Sequence, residues 1–497
     1  MPSPARLSGL SSKAVSGAGW MFASTAAGRA VAVLGQIGIG RLLLPADFGV
    51  WALALSMATT VVALRNGGTT QILIQRGSRF AAEAQLFLRY SLAFNLLAAA
   101  ILGGLSVPYL LAHNAVGTAL LGIGLSVPLS TPAMLYRAKL IIDGRFRGLA
   151  LIDLGAGTLW QVSVFGFAYA GFGAASFAYA PILRAIFETI ATRLLAGKLP
   201  DEQRLRPAGD YLALLRQSGW VMLSAAAGSL ATNGDYFAVG TLTDMTTVGI
   251  YYFAFQMVST LNMPMWSGVD SVLPTSLVKL NDVPSRQMTA LVRAMRMIVL
   301  IALPLAIAFA LAAPWIIHLL WHGKWDVAVR PTQILAACLP AWLVIQSARS
   351  LLEARGYWRL RFLLLAVNGI GGIGSAAIGT FFGSVPNIAL TVATFYVSFS
   401  LSLLLALGKL GATLRDVADI AIKPLALNCG ALATTLMLRR WIGSGSSDTM
   451  LDLLATTVFV LLVGIGNLAI FKPVWMELLV GLASGLRKRG GAAVANT

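Results

Sequence analysis

The chain has 497 residues, 57% hydrophobic and 11% charged, with a mean hydropathy of +0.78. A soluble chain carries about 25% charge, so this composition excludes a soluble globular domain and indicates a polytopic membrane protein. The formal net charge of +18 does not describe a nucleic-acid module, because no basic run is interleaved with aromatics and the charges fall between apolar stretches.

Stretches of about 20 apolar residues predict fourteen transmembrane helices in an all-α protein. In chain order they fall at 15–40, 48–66, 84–107, 115–136, 149–171, 174–196, 214–240, 247–272, 290–321, 328–349, 361–383, 387–408, 421–440 and 451–472. The first is too long for a signal peptide and is read as a retained helix. Most of the 37 Lys and Arg lie in alternate connections, among them Arg76, Arg79, Arg145, Arg147, Lys198, Arg204, Arg355 and Arg359. The opposite connections hold only Arg41, Lys324, Arg330, Arg439 and Arg440. This asymmetry predicts that both termini are cytoplasmic. The two cysteines, Cys338 and Cys429, lie singly in apolar segments and give neither a disulfide framework nor a metal spacing.

The chain also resembles itself at an offset of 200. Without a gap, Gly19/Gly219, Trp20/Trp220, Ser24/Ser224, Gly28/Gly228, Gly40/Gly240, Leu42/Leu242 and Gly49/Gly249 coincide. Six predicted helices separate the copies, so the repeat is parallel, with its axis along the membrane normal. The expected organisation is an N-terminal lobe of six helices at 1–197, a cytoplasmic linker at 198–213 and a second six-helix lobe at 214–410. Two extra helices at 411–475 and a basic cytoplasmic tail at 476–497 follow.

Gly19-Trp20, Arg41-Leu42-Leu43 and the turn Pro45-x-Asp47-Phe48-Gly49 are similar to the opening of the polysaccharide transport branch of the multidrug/oligosaccharidyl-lipid/polysaccharide exporter superfamily. Asp235-Tyr236 and Gly249-x-Tyr251 resemble the companion pattern of its second half. The likeness covers roughly residues 10–410. It implies a lipopolysaccharide or exopolysaccharide flippase of the bacterial inner membrane. Such a protein moves a polyprenyl-pyrophosphate-linked oligosaccharide between leaflets by alternating access, without covalent chemistry and without a cofactor. A coupling ion, proton or sodium, is left unspecified. Bilayer lipids and polysaccharide polymerase or export proteins are the other implied partners.

Charged groups inside a span are costly and therefore face protein or water. Arg29 lies near the middle of the first span; on the flippase reading it attracts the pyrophosphate or an acidic sugar, and on the other it pairs with a carboxylate of another helix. Gln36, two turns along, extends a polar stripe on the same face. Arg184 and Glu188, four residues apart in the sixth span, are either an internal pair entering the cavity or a pair neutralised for insertion. Asn233, Asp235 and Tyr236 form a polar cluster in the seventh span, with three readings: a coupling-cation site, a partner for a cavity Arg, or a packing element. Gln256 and Asn262 are read mainly as interhelical hydrogen bonds, and Asp153 and Asp270 as salt-bridge partners of loop arginines. Gly369, Gly371 and Gly374 spell GxGxxG inside an apolar span, where close helix packing is the expected role rather than dinucleotide binding.

Two rival functions remain at this point. A cation-coupled multidrug exporter of the same superfamily shares the two-lobe logic. A membrane glycosyltransferase, polymerase or ligase is disfavoured because every predicted outer connection is short.

Overall fold

The computed structural model describes residues 4–65, 80–197, 209–408, 412–442 and 449–470. These residues are almost entirely helical and contain no strand. The helices are α1 (Pro4–Leu42), α2 (Pro45–Arg65), α3 (Phe80–Leu111), α4 (Ala115–Leu129), α5 (Thr131–Ile142), α6 (Phe146–Tyr169) and α7 (Ser176–Ala196). They continue as α8 (Gly209–Leu242), α9 (Met245–Val278), α10 (Pro284–Trp321), α11 (Val329–Ala336), α12 (Cys338–Ala354), α13 (Trp358–Thr380) and α14 (Val385–Leu407). The last three are α15 (Leu414–Val417), α16 (Lys423–Ile442) and α17 (Thr449–Ile470).

Among the described residues, seven helices are by themselves long and apolar enough to cross a membrane, and nine if two bent pairs each count as one span. The fourteen expected spans are therefore not all met by length and apolarity. Helix α7, for example, carries Arg184, Glu188 and Arg193 within its length. One bend, of 47°, separates α4 from α5. It falls just before Pro132, which has no N–H to continue the ladder. The predicted linker at 198–213 lies mostly outside the described residues, and the tail at 476–497 wholly so.

The helix starts follow from local chemistry. Pro45 opens α2, with the Asp47 carboxylate accepting the Leu44 N–H at 2.8 Å. Asn114 caps α4 by accepting the Val116 N–H at 3.0 Å. A reciprocal capping box of Thr413 and Asp416 starts α15.

The chain divides into two compact units, Met1–Phe253 with Trp358–Thr391, and Ala254–Tyr357 with Val392–Thr497. In the first, α1 packs along α6 and α8 along α13. The two pairings meet at repeat-equivalent glycines: a Cβ on Gly28 would lie 3.9 Å from Leu154 Cδ1, and one on Gly228 4.0 Å from Leu365 Cδ1. The starts of α2 and α9 also approach backbone to backbone. A Cβ on Gly49 would overlap the Met245 carbonyl oxygen, and one on Gly249 the Pro45 carbonyl oxygen. Only glycine allows this reciprocal approach. Gly369 also packs closely, its added Cβ falling 3.1 Å from the Ala231 nitrogen of α8, whereas one on Gly374 meets nothing within 4 Å, so of these two glycines only Gly369 takes the packing role expected of that motif.

In the second unit, α16 and α17 pack on α10 through Ala431, Phe459, Val463, Ile307 and Leu311. Asp270 of α9 accepts hydrogen bonds from Arg349, at 2.6 Å, and from Gln346, while the Arg349 guanidinium lies over Trp266. In the first unit Asp153 binds Arg137 at 2.6 Å. Both aspartates thus take the salt-bridge role anticipated for them.

Candidate functional site

A cavity of about 440 Å³ lies in the first unit between α2, α4, α6 and α7. Close helix approach shapes one wall, since a Cβ on Gly122 of α4 would overlap the Ala178 carbonyl of α7. Trp51 and Trp160 form an aromatic end, their rings 5.4 Å apart, and Trp51 is held flat against Phe177 at 5.2 Å. Thr59, Ser126, Ser130, Arg184 and Glu188 supply the polar groups. An aromatic wall with a few convergent polar groups is the makeup of a small-ligand site.

The i,i+4 spacing of Arg184 and Glu188 becomes a bond on α7, with Arg184 Nε donating to Glu188 Oε1 at 2.9 Å. The Arg184 side chain is 48% exposed and that of Glu188 16%. A guanidinium has five N–H donors, so one contact to Glu188 leaves most of them for a ligand. Ser126 and Ser130 donate their hydroxyl protons to the carbonyls of Ile123 and Val127 at 2.7 and 2.9 Å. Both residues line the cavity, and with their protons engaged their oxygens are left as acceptors. The arrangement suits a ligand that carries both negative charge and hydroxyl donors.

The other candidates lie elsewhere. Arg29 is half-buried on α1, does not line this cavity, and makes no hydrogen bond or ion pair among the described residues. Gln36 is also half-buried and likewise makes no hydrogen bond among them. Asn233 reaches the Ser229 carbonyl of its own helix at 3.5 Å. Asp235 is 4% exposed and Tyr236 2%. The Asp235 carboxylate accepts the Tyr251 hydroxyl at 2.7 Å and the Tyr236 N–H at 3.0 Å. The structure thus joins Asp235 to Tyr251, a pair that the two family-like motifs contain but that sequence spacing did not connect.

A run of aromatic contacts links this carboxylate to the cavity. Tyr236 packs on Tyr251 and Tyr252, Tyr252 lies 6.4 Å from Phe48, Phe48 lies 5.5 Å from Phe177, and Phe177 stacks on Trp51. Trp51, Trp160, Thr59, Ser126 and Ser130 escaped the sequence reading. Apolar spans are full of such residues, and only the position of Trp51 two residues beyond the Pro-x-Asp-Phe-Gly turn marks it out.

Similar folds recur among solved transporters. A structure described as the lipid II flippase MurJ in an inward closed conformation superposes with a TM-score of 0.69 over 91% of this chain and 99% of its own, at 10% identity. An inward-facing multidrug resistance MATE family transporter of the MOP superfamily gives 0.59 over 76% and 96%, at 16% identity. A MATE bound to MaL6 gives 0.54 over 80% and 96%, at 14% identity. These neighbours are transporters and not enzymes. No curated protein matches the chain in sequence. The family model for polysaccharide biosynthesis proteins matches residues 39–330, more than half of the chain, and the chain therefore belongs to that family, with a helical fold like that of these solved transporters.

Proposed function

We propose that the protein flips a polyprenyl-pyrophosphate-linked oligosaccharide, an O-antigen or exopolysaccharide repeat unit, across the bacterial inner membrane. Both termini are cytoplasmic in this reading, and two six-helix lobes rock about the substrate. The observation that carries it is Arg29. A cation in mid-span costs about 2.5–3.5 kcal/mol on insertion scales, and Arg29 has no counter-charge among the described residues. An anionic headgroup supplies one. The cavity at Arg184 and Glu188, with its indole faces and hydroxyl acceptors, takes part of the glycan. A fold shared with a protein described as a lipid II flippase agrees with a lipid-linked substrate.

The test is the leaflet distribution of radiolabelled polyprenyl-pyrophosphate oligosaccharides in membranes from cells with and without the gene. Accumulation on the cytoplasmic leaflet in its absence supports flipping. An unchanged distribution, in cells with no second flippase, favours the alternative of a cation-coupled small-molecule exporter, a reading that a fold shared with a structure described as a multidrug resistance transporter supports. For that alternative Asp235 is the carboxylate to test with protons and sodium.

A further inference from the structure

The second unit holds a different kind of cavity, of about 540 Å³, between α10, α12, α14 and α16. Its walls are aliphatic, with Leu303, Ile307, Val344, Leu404 and Leu432 prominent. Only two lining residues, Gln333 and Ser400, have hydrogen-bonding side chains. Gln333 Nε2 donates to the Ala310 carbonyl at 2.9 Å, and the Ser400 hydroxyl to the Val397 carbonyl at 2.8 Å. A glycan placed here would leave its hydroxyls unpaired, at a cost per group that apolar contact does not offset. A hydrocarbon chain meets no such penalty.

Basic residues lie beside one end of this cavity, on α10 and at the entry to α16. Ile420 and Ala421 line it from a π-helical turn, Ala418–Ile422, at the entry to α16. Such turns insert one extra residue into a helix and are frequent at functional sites. Asp419 in the same turn binds Arg296 of α10 at 2.9 Å and Lys423 at 2.5 Å. Arg415 acts on the same carboxylate, and Arg293 lies exposed one turn before Arg296. Three cations, Arg296, Lys423 and Arg415, thus act on Asp419, while the neighbouring Asp416 is engaged in the capping box with Thr413. Arg296 Nε is buried without a partner among the described residues, and the Lys423 side chain is half-exposed.

We propose that this is a binding site for an anionic phospholipid of the bilayer, one acyl chain in the cavity and the phosphate against Arg296 and Lys423. Basic pockets between transmembrane helices recognise anionic headgroups in this way. The volume is that of a drug-sized ligand, which suits a single acyl chain and not a long polyprenyl chain. The lipid ties the π-helical turn of α16 to α10, and the site does not depend on the glycan cargo.

Native mass spectrometry and thermal unfolding of the purified full-length protein test the site, with phosphatidylglycerol, phosphatidylethanolamine and a polyprenyl phosphate as probes. Phosphatidylglycerol is expected to bind about tenfold more tightly than phosphatidylethanolamine and to raise the unfolding temperature. Arg296→Gln with Lys423→Gln removes that preference, whereas Arg29→Ala leaves it intact. Leu432→Trp fills the cavity with the ion cluster in place and also lowers phosphatidylglycerol retention, so the site stays testable if the double variant does not fold. Undiminished phosphatidylglycerol binding in either variant overturns the proposal. So does tighter binding of the polyprenyl phosphate, which would make the cavity part of the cargo path.

Discussion

Helices α1 and α8 carry matching residues at an offset of 200, yet they treat their polar groups in opposite ways. On α1, Arg29 and Gln36 are half-buried and make no hydrogen bond or ion pair among the described residues. On α8, the position equivalent to Gly35 is Asp235, closed off by the Tyr251 hydroxyl and the Tyr236 N–H. The packing is shared, since Gly28 and Gly228 each meet a leucine of the neighbouring helix at nearly the same distance. The two helices therefore share how they pack, while among the described residues the charge on α1 has no partner and that on α8 is satisfied internally. Polar groups paired in the resting fold contribute to structure, and those left unpaired are the ones a ligand can use.

The sharpest way to break this comparison is Arg29→Ala. A charge-assisted hydrogen bond is worth about 1.5–3 kcal/mol, or about 10- to 100-fold in affinity. We expect at least that loss in glycan export, with membrane insertion and unfolding temperature unchanged. Near-normal export would remove Arg29 from the substrate path.

The reciprocal contact of the two copies comes next. Gly49→Ala and Gly249→Ala each force a Cβ against a backbone carbonyl, and each is expected to cost about 1–3 kcal/mol in thermal unfolding. The double variant should cost less than the sum, because one displacement relieves both overlaps. Strict additivity would mean that the two glycines do not share a contact.

Tyr251→Phe then probes the internally satisfied copy. Removing the hydroxyl takes one of two partners from a buried carboxylate, with an expected loss of about 1–2 kcal/mol. Asp235→Asn in the same background should recover part of it, and a loss that stays the same would separate Asp235 from Tyr251 energetically.

The smallest effect concerns the turns before α2 and α9. The first copy uses Asp47, which accepts the Leu44 N–H. The second uses Asp244, which accepts the Thr246 and Thr247 N–H groups and the Thr247 hydroxyl, at 2.7–3.1 Å. The Thr247 hydroxyl, with these backbone donors, holds the Asp244 carboxyl below the usual carboxylate range. A lowered folded-state pKa means that the contribution is present above the unfolded value and is lost as pH falls through the folded one. Asp244→Ala should cost about 1 kcal/mol near neutral pH. In acid it should unfold at the same temperature as the parent chain, and a difference that persists there would assign the effect to packing.

Much of this protein was legible in its sequence. Long apolar runs with little charge dictate helices in a membrane, because a lipid environment leaves backbone groups no other partner than their own chain. The ungapped coincidence of Gly and Trp at an offset of 200 announced the repeat, and the Pro-x-Asp-Phe-Gly turn announced the family that the match over 39–330 shows. Local spacing also carried Arg184 to Glu188, because residues four apart share a helix face. Tertiary structure alone decided that Trp51 and Trp160, more than 100 residues apart in sequence, form one end of a cavity. It also decided that Asp235 meets Tyr251 rather than an arginine, and that Arg296 meets Asp419 across more than 100 residues. Period and composition specify which face of a helix is apolar. Which helices then come together depends on side-chain fit between distant segments, and no local pattern encodes that.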